Sequence, residues 1–295
     1  MTILVIGGTG TVGRHVVRGL LEAGVSVRVL TRSTAHEARI PDPARAVVGD
    51  LTNPSTLHGV FHGVDRLFLL NAVSATEVQE ALVALNEAQR ADVKRIVYLS
   101  IHRAERGLHI PHFAAKVAVE HALKAGAIPH TILRANNFYQ NDISCKEALL
   151  TYGVYPQPFG NVGVARVDVR DVARAGANAL LNDGHAGRTY ALVGPETLTG
   201  DACAAAYGHA LGTPIRYAGN DLDAWSAQVR DQLPSWMLYD LRLMYALFQE
   251  QGMLAAPLHY RETCAVLGRA PRPFAAFAAE TTARWMPERL PRAPA

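Results

Sequence analysis

Lysine is nearly missing from this chain: it occurs only at Lys94, Lys116, Lys124 and Lys146 among 29 Lys and Arg, so arginine is the default cation. Cysteine is also sparse. Cys145, Cys203 and Cys264 are odd in number, far apart and outside any C-x-x-C arrangement, which argues against a disulfide framework or a zinc site and makes a reducing cytoplasm the expected location. No apolar run approaches the roughly 18 residues of a membrane helix, and the first residues carry neither the basic start nor the apolar stretch of a secretory signal. No membrane partner and no processing are therefore expected. The formal charge of +3 is scattered with no like-charged block, so no nucleic-acid partner is expected either. The 12 histidines show no Ser-His-Asp or metal-ligand spacing, which leaves hydrolysis and a bound metal without support.

What is present is apolar material for a large core. At 295 residues, 49% hydrophobic and 19% charged, the chain is long enough for a full α/β domain and a smaller lobe. Short β-branched runs alternate with helical patterns through the first half: strands at 3–6, 25–30, 45–48, 66–70, 95–99 and 130–134, with helical stretches at 12–23, 54–61, 75–91 and 110–124. Continuous apolar strands suit a sheet buried on both faces. The expected class is α/β, a Rossmann doubly wound parallel sheet with a smaller, partly helical C-terminal substrate lobe. Residues 1–140 are read as the cofactor domain, continuing through parts of 141–195, where VARVDV (164–169), a helix at 171–181 and TYALV (189–193) follow. Residues 196–286 are read as the mainly helical lobe, with helices near 200–211, 222–231, 235–251 and 273–284, and 287–295 as a loose tail.

Between the first strand and first helix stands GGTGTVG, Gly7, Gly8, Thr9, Gly10, Thr11, Val12 and Gly13. In that setting a glycine loop has a mechanism: glycines permit the turn and close approach to a pyrophosphate, and the helix N-terminus supplies amides and dipole. A dinucleotide is therefore expected. NAD sites usually place an acid at the end of the second strand, to bind the ribose 2′-hydroxyl. Here that end reads Leu30, Thr31, Arg32, Ser33. With no carboxylate to repel a 2′-phosphate and a guanidinium able to pair with it, NADP(H) is the expected cofactor. Asp50, followed by Leu51 at the end of the third strand, has two open readings: the adenine pocket, or a cap on the next helix.

Successive segments, GGTGTVGRHVV, VLTRS, VVGDLTNPSTL, RIVYLS, KVAVEHALKAGAIPHTILRANNFYQN, VDVRDVA and GRTYALVGPETLT, resemble the landmarks of the atypical short-chain dehydrogenase/reductase superfamily. In particular the chain is similar to the NmrA-like branch of NAD(P)H-dependent quinone, azo and dye reductases and cofactor-sensing regulators. The resemblance implies that Leu70, Asn71 and Ala72 line the cofactor and that Ser100 lies beside the nicotinamide ribose. It also implies that Lys116 bonds that ribose and that Ala135, Asn136, Asn137 and Phe138 cover the nicotinamide. Typical superfamily members carry a catalytic Tyr-x-x-x-Lys; here His112 stands where the tyrosine would be, four residues before Lys116.

Without that tyrosine, the negative charge left on the acceptor by hydride transfer must be relieved in another way. A quinone or extended aromatic system delocalises it, so the sequence leans toward a small aromatic substrate with a conjugated carbonyl, including ketones of aromatic natural products. Lys116 is read as a cofactor and catalytic residue, or else as half of a solvated pair with Glu120 one turn on. His112 is read as a general acid, or else as a solvated histidine. Trp225, Trp236, Met237, Tyr239, Met244, Tyr245, Phe248 and Met253 line a pocket for a flat ligand, or else form ordinary core. The expected activity is an NADPH-dependent ketoreductase or quinone reductase. The competing reading is a redox-sensing regulator that binds NADP without turnover and engages a protein partner.

Overall fold

The structure, a computed structural model, describes residues 1–286, so the tail expected at 287–295 lies outside the described residues. In chain order the first half runs β1 (Thr2–Val5), α1 (Gly13–Glu22), β2 (Ser26–Thr31), β3 (Arg45–Val48), β4 (Arg66–Leu69), α2 (Glu77–Arg90), β5 (Arg95–Ile101), α3 (Pro111–Ala125) and β6 (His130–Ala135). It continues with α4 (Lys146–Thr151), β7 (Val154–Tyr155), α5 (Val169–Leu181), β8 (Thr189–Leu192), α6 (Gly200–Leu211) and β9 (Arg216–Tyr217). Four helices follow: α7 (Leu222–Val229), α8 (Ser235–Gln251), α9 (Pro257–Leu267) and α10 (Phe274–Trp285).

The chain divides into two compact units, each assembled from three stretches. The first comprises Met1–Ala135, Val169–Leu192 and Pro257–Ala270. Its seven strands lie in the order β3-β2-β1-β4-β5-β6-β8, and every pairing is parallel. The β-branched and leucine runs of β1, β4 and β5 are buried, as strands covered on both faces require. Helix α1 packs beside α5, α2 beside α3, and α9 against α5 and β8. Strand order reverses between β1 and β4, and doubly wound sheets bind ligands beyond the carboxyl ends of the strands at such a switch point.

The second unit comprises Asn136–Asp168, Val193–Ala256 and the described residues from Pro271 on. Here α6 packs on α10 and α7 on α8, and β7 and β9 form a two-residue parallel pair.

Four expectations need correction. The helix expected at 54–61 is a single 3-10 turn, Pro54–Leu57, because Thr56 bonds back to Asn53 and Asp50, and Gly59 then leaves the helical region at φ 76°. VARVDV forms no strand in the sheet: Val164 and Val167 make isolated bridges inside the second unit. ANNFYQND (135–142), read as a loop opening the second half, instead enters a 3-10 turn, Tyr139–Cys145, that leads into α4. The segment 196–286 does not group as one lobe, because Pro257–Ala270, carrying α9, belongs with the sheet.

Candidate active site

The glycine loop folds by backbone contacts that admit no side chain. Gly7 has φ 78°, and a Cβ there would sit 2.5 Å from the Leu70 carbonyl oxygen. A Cβ on Gly13 would collide with the Gly7 backbone, so the first turn of α1 can lie directly against the loop only because residue 13 is glycine. The turn closes through Gly10 N donating to Gly7 O at 3.0 Å, and α1 begins as Arg14 N donates to Gly10 O at 3.1 Å. Val12 at the N-cap offers no side-chain acceptor and the first turn holds no acid. Thr9 is half-exposed, Gly10 and Thr11 are exposed and Val12 is buried. The result is a helix N-terminus with its amides and positive dipole end left for an anion.

Arg32 follows the last residue of β2 and is exposed. Ser33 beside it caps a 3-10 turn, its Oγ accepting from Ala35 N at 3.2 Å. Asp50 is occupied locally. Its Oδ1 accepts from Thr52 N at 2.9 Å and Thr52 Oγ1 at 2.8 Å, and these bonds, aided by Arg32, hold its carboxyl below the ordinary range. These bonds close a local turn on Thr52, and the 3-10 turn that follows has Asn53 and not Asp50 at its N-cap, so the capping reading of Asp50 does not describe them. Leu51 is buried in the hydrophobic core.

Beyond β4 and β5 lies a buried polar cluster. Leu70 is half-buried and Ala72 exposed, while between them Asn71 is buried with neither its side-chain oxygen nor its nitrogen hydrogen-bonded among the described residues. Lys116 Nζ donates to the Asn71 carbonyl at 3.4 Å, lies 5.5 Å from the centre of the Tyr98 ring, and sits 2.6 Å from Glu77 Oε1. That ion pair is sealed from solvent, the two side chains being 6% and 1% exposed. Burial pushes the Glu77 carboxyl above its ordinary range against the opposing pull of Lys116 and, less strongly, His112. His112 is itself buried, its ring edge-on to Phe113 at 4.7 Å.

The reading of Lys116 and Glu120 as a solvated pair is corrected by this geometry. Both face inward from α3, but Glu120 bonds elsewhere: it accepts from Ser100 Oγ at 2.7 Å, Arg134 Nε at 2.9 Å and Arg134 Nη2 at 2.6 Å. Burial raises the Glu120 carboxyl, but the bonds from Arg134 and Ser100 outweigh it and leave it below its ordinary value. Ser100, expected beside the ribose, thus donates its hydroxyl hydrogen bond to Glu120. The solvated reading of His112 is likewise set aside by its burial.

Ala135 ends β6, while Asn136 and Asn137 belong to the second unit. There Asn136 Nδ2 donates to Met253 O at 2.8 Å and Asn136 Oδ1 accepts from Asn137 N at 2.8 Å. Arg166, fully buried, fixes the next residues: its Nε donates to Asn137 Oδ1 at 3.0 Å and Nη2 to Phe138 O at 2.8 Å, while its guanidinium pairs with Asp142 at 2.7 Å. Of the aromatic and methionine set, Trp225, Met244, Tyr245, Phe248 and Met253 are buried, with Trp225 edge-on to Tyr245 at 4.9 Å. These five are core. Trp236 and Tyr239 are exposed.

Glu77, Tyr98, Arg134 and Arg166 were not singled out by the sequence. Glu77 reads as an ordinary first-turn acid of α2, and Tyr98 as a strand residue; only the fold brings residue 77 to residue 116. No group of His, Cys, Asp and Glu among the described residues could hold a metal ion, and no helix is long and apolar enough to cross a membrane.

The pattern of the NmrA-like family matches residues 1–265. Among known proteins, the chain is 31% identical over 280 residues to an NAD(P)H azoreductase of Xenophilus azovorans, covering 94% of this chain and 96% of that one. It is 31% identical over 287 residues to a (4-alkanoyl-5-oxo-2,5-dihydrofuran-3-yl)methyl phosphate reductase of Streptomyces griseus, covering 97% of this chain and 100% of that one. Among solved structures, an NADPH-dependent quinone oxidoreductase of Escherichia coli complexed with NADPH superposes with a TM-score of 0.85. That likeness, at 21% identity over 95% of this chain and 99% of the other, is one of fold.

Proposed function

The chain belongs to the NmrA-like family, and from that premise we propose that it is an NADPH-dependent reductase that passes a hydride directly to a conjugated acceptor, such as a quinone or a polycyclic aromatic ketone. The observation that carries this reading is the open N-terminus of α1 behind its glycine loop, with Arg32 exposed at the end of the neighbouring strand. Gly7, Thr9, Gly10, Thr11, Val12 and Gly13 would receive the pyrophosphate, and Arg32 the 2′-phosphate. The buried, unpaired amide of Asn71 and the ammonium of Lys116 are polar groups suited to the far end of such a dinucleotide.

NADPH when bound supplies the hydride. The protein's part is placement: Lys116 is held by Glu77 and the Asn71 carbonyl, so its charge has one position rather than the many of an exposed lysine. Residue 112 is a buried histidine, so the phenolic acid usual in the wider superfamily is missing from α3. An acceptor that spreads its own charge is the substrate class that tolerates this loss. Azo compounds, quinones and acyl-dihydrofuranones, the acceptors named for the relatives, are all electron-poor conjugated systems.

The test is NADPH deuterated at C4, offered with quinones, azo dyes and polycyclic aromatic ketones beside simple aliphatic ketones. Oxidation of NADPH with formation of the reduced acceptor is expected for the conjugated compounds and not for aliphatic ketones; the deuterium stays in the product where a ketone carbon receives it and is lost to water from a hydroquinone oxygen or an azo nitrogen. Tight cofactor binding with no reduced acceptor would reject turnover and leave a cofactor-sensing regulator as the better description.

A further inference from the structure

The pair Glu77–Lys116 carries more than the reading above uses. We propose that Glu77 is a positioning residue of the site, whose carboxylate fixes the place of the Lys116 ammonium, in a helix where residue 112 is histidine rather than tyrosine. The proposal rests on Lys116 being a cofactor contact.

Three observations support it. First, the ordinary duty of an acid at the start of α2 is already performed by its neighbour: Glu80 Oε1 accepts from Thr76 Oγ1 at 2.6 Å and from Ser74 Oγ at 3.1 Å. Glu77 instead turns inward to 1% exposure, a costly place for a carboxylate that only had to face a helix dipole. Second, the pair is poorly satisfied for a structural one. Apart from the ion pair, neither Glu77 oxygen has a well-directed hydrogen bond among the described residues, and the Asn71 amide and Tyr98 hydroxyl nearby are likewise buried without partners. Elsewhere in the chain a structural pair is fully bonded: Arg166 and Asp142 are met by Tyr155, Asn137 and the Phe138 carbonyl. Unmet polar groups collected around one ammonium mark a site kept for a ligand rather than for stability. Third, Lys116 is buried in a chain that keeps only four lysines, while Lys94 and Lys124 are well exposed and Lys146 half-exposed.

The groups facing the pair come from every neighbouring element: Glu80 from α2, His112 from α3, Tyr98 from β5 and Asn71 from the loop after β4. Glu77 is the carboxylate in contact with the ammonium, and Tyr98 is kept in its neutral phenol form by burial and by the charges of Glu77 and Glu120.

Four lysines make the test direct. Protein labelled with carbon-13 at lysine Cε gives four signals, and the one lost in Lys116→Arg is that of Lys116. In Glu77→Gln the Lys116 signal is expected to move as the ammonium loses its contact partner, while the other three stay in place. NADPH affinity, read by fluorescence, should fall several-fold in Glu77→Gln. Glu77→Asp should recover part of both. A Lys116 signal unmoved by Glu77→Gln would overturn the proposal. Should Glu77→Gln not fold, the natural protein suffices: its Lys116 signal is expected to shift on acidification as Glu77 takes a proton, and an unmoved signal would overturn the proposal equally. The signal is read without turnover, so failure of the reductase reading leaves it intact, and an unmoved signal in an active reductase rejects the role of Glu77 alone.

Discussion

In the proposed reductase a single side chain, Arg32, would carry the cofactor choice. It is exposed beyond β2 with Asp50 as its electrostatic neighbour, and that carboxylate is engaged by Thr52. A charge-assisted bond to a 2′-phosphate is worth roughly 1.5 to 3 kcal/mol, or about one to two decades in affinity. Arg32→Glu is therefore expected to weaken NADPH by at least that much and to leave NADH favoured, measured as paired dissociation constants. Equal constants before and after would remove Arg32 from the site. The residues of α3 should part company in kind. Lys116→Ala takes away both the ammonium and the counter-charge of Glu77, so cofactor affinity and turnover should fall together. His112→Phe replaces one buried ring by another, and affinity should hold. A general acid at residue 112 would cost about 10² to 10⁴ in kcat on removal; with an acceptor that delocalises charge, most of the rate and the pH profile should survive. Steady-state kinetics of the two variants across pH separate these outcomes.

At the scale of elements, the alternation of β1, α1 and β2 was legible because apolar period, glycine loop and C-cap glycine agree; Gly24 does end α1 with φ 74°. Helix α3 was legible as a helix, yet the use of its inner face was not, since periodicity places His112, Lys116 and Glu120 together without saying which strand or helix they meet. The structure answers with two partners on separate elements, Glu77 of α2 and Arg134 of β6. Helix α9 escaped for a different reason: its buried side includes Thr263 beside Val266 and Leu267, a stripe too short and too polar to stand out. The two-residue strands β7 and β9 are below the length at which alternation carries information. The tie between α3 and β6 has a pH signature. Glu120 ionises more readily folded than unfolded, so its contribution is present above the ordinary value of 4.5 and is lost as pH falls through its lower folded value. Glu120→Gln should cost roughly 1.5 to 3 kcal/mol near neutral pH and flatten the acid limb of a melting-temperature profile. A variant that keeps the slope of the natural protein would place the acid sensitivity elsewhere.

For the molecule as a whole, the threading of the chain has a consequence for how such proteins diversify. The backbone passes from one compact unit to the other after Ala135, Asp168, Leu192, Ala256 and Ala270, and neither unit is a continuous length of sequence. A single recombination between two relatives anywhere from residue 136 to residue 270 therefore splices mixed ancestry into both units at once, and carrying one unit over intact takes five joints. Gene shuffling is a poor route to a new acceptor in this architecture; scattered point changes, each compatible with its own unit, are the accessible one. The same interleaving sets a rule for hybrid proteins made at the bench. The donor of the second unit must contribute three separate inserts, and the joints belong at those five crossings rather than at the halfway point that the repeating first half of the sequence invites.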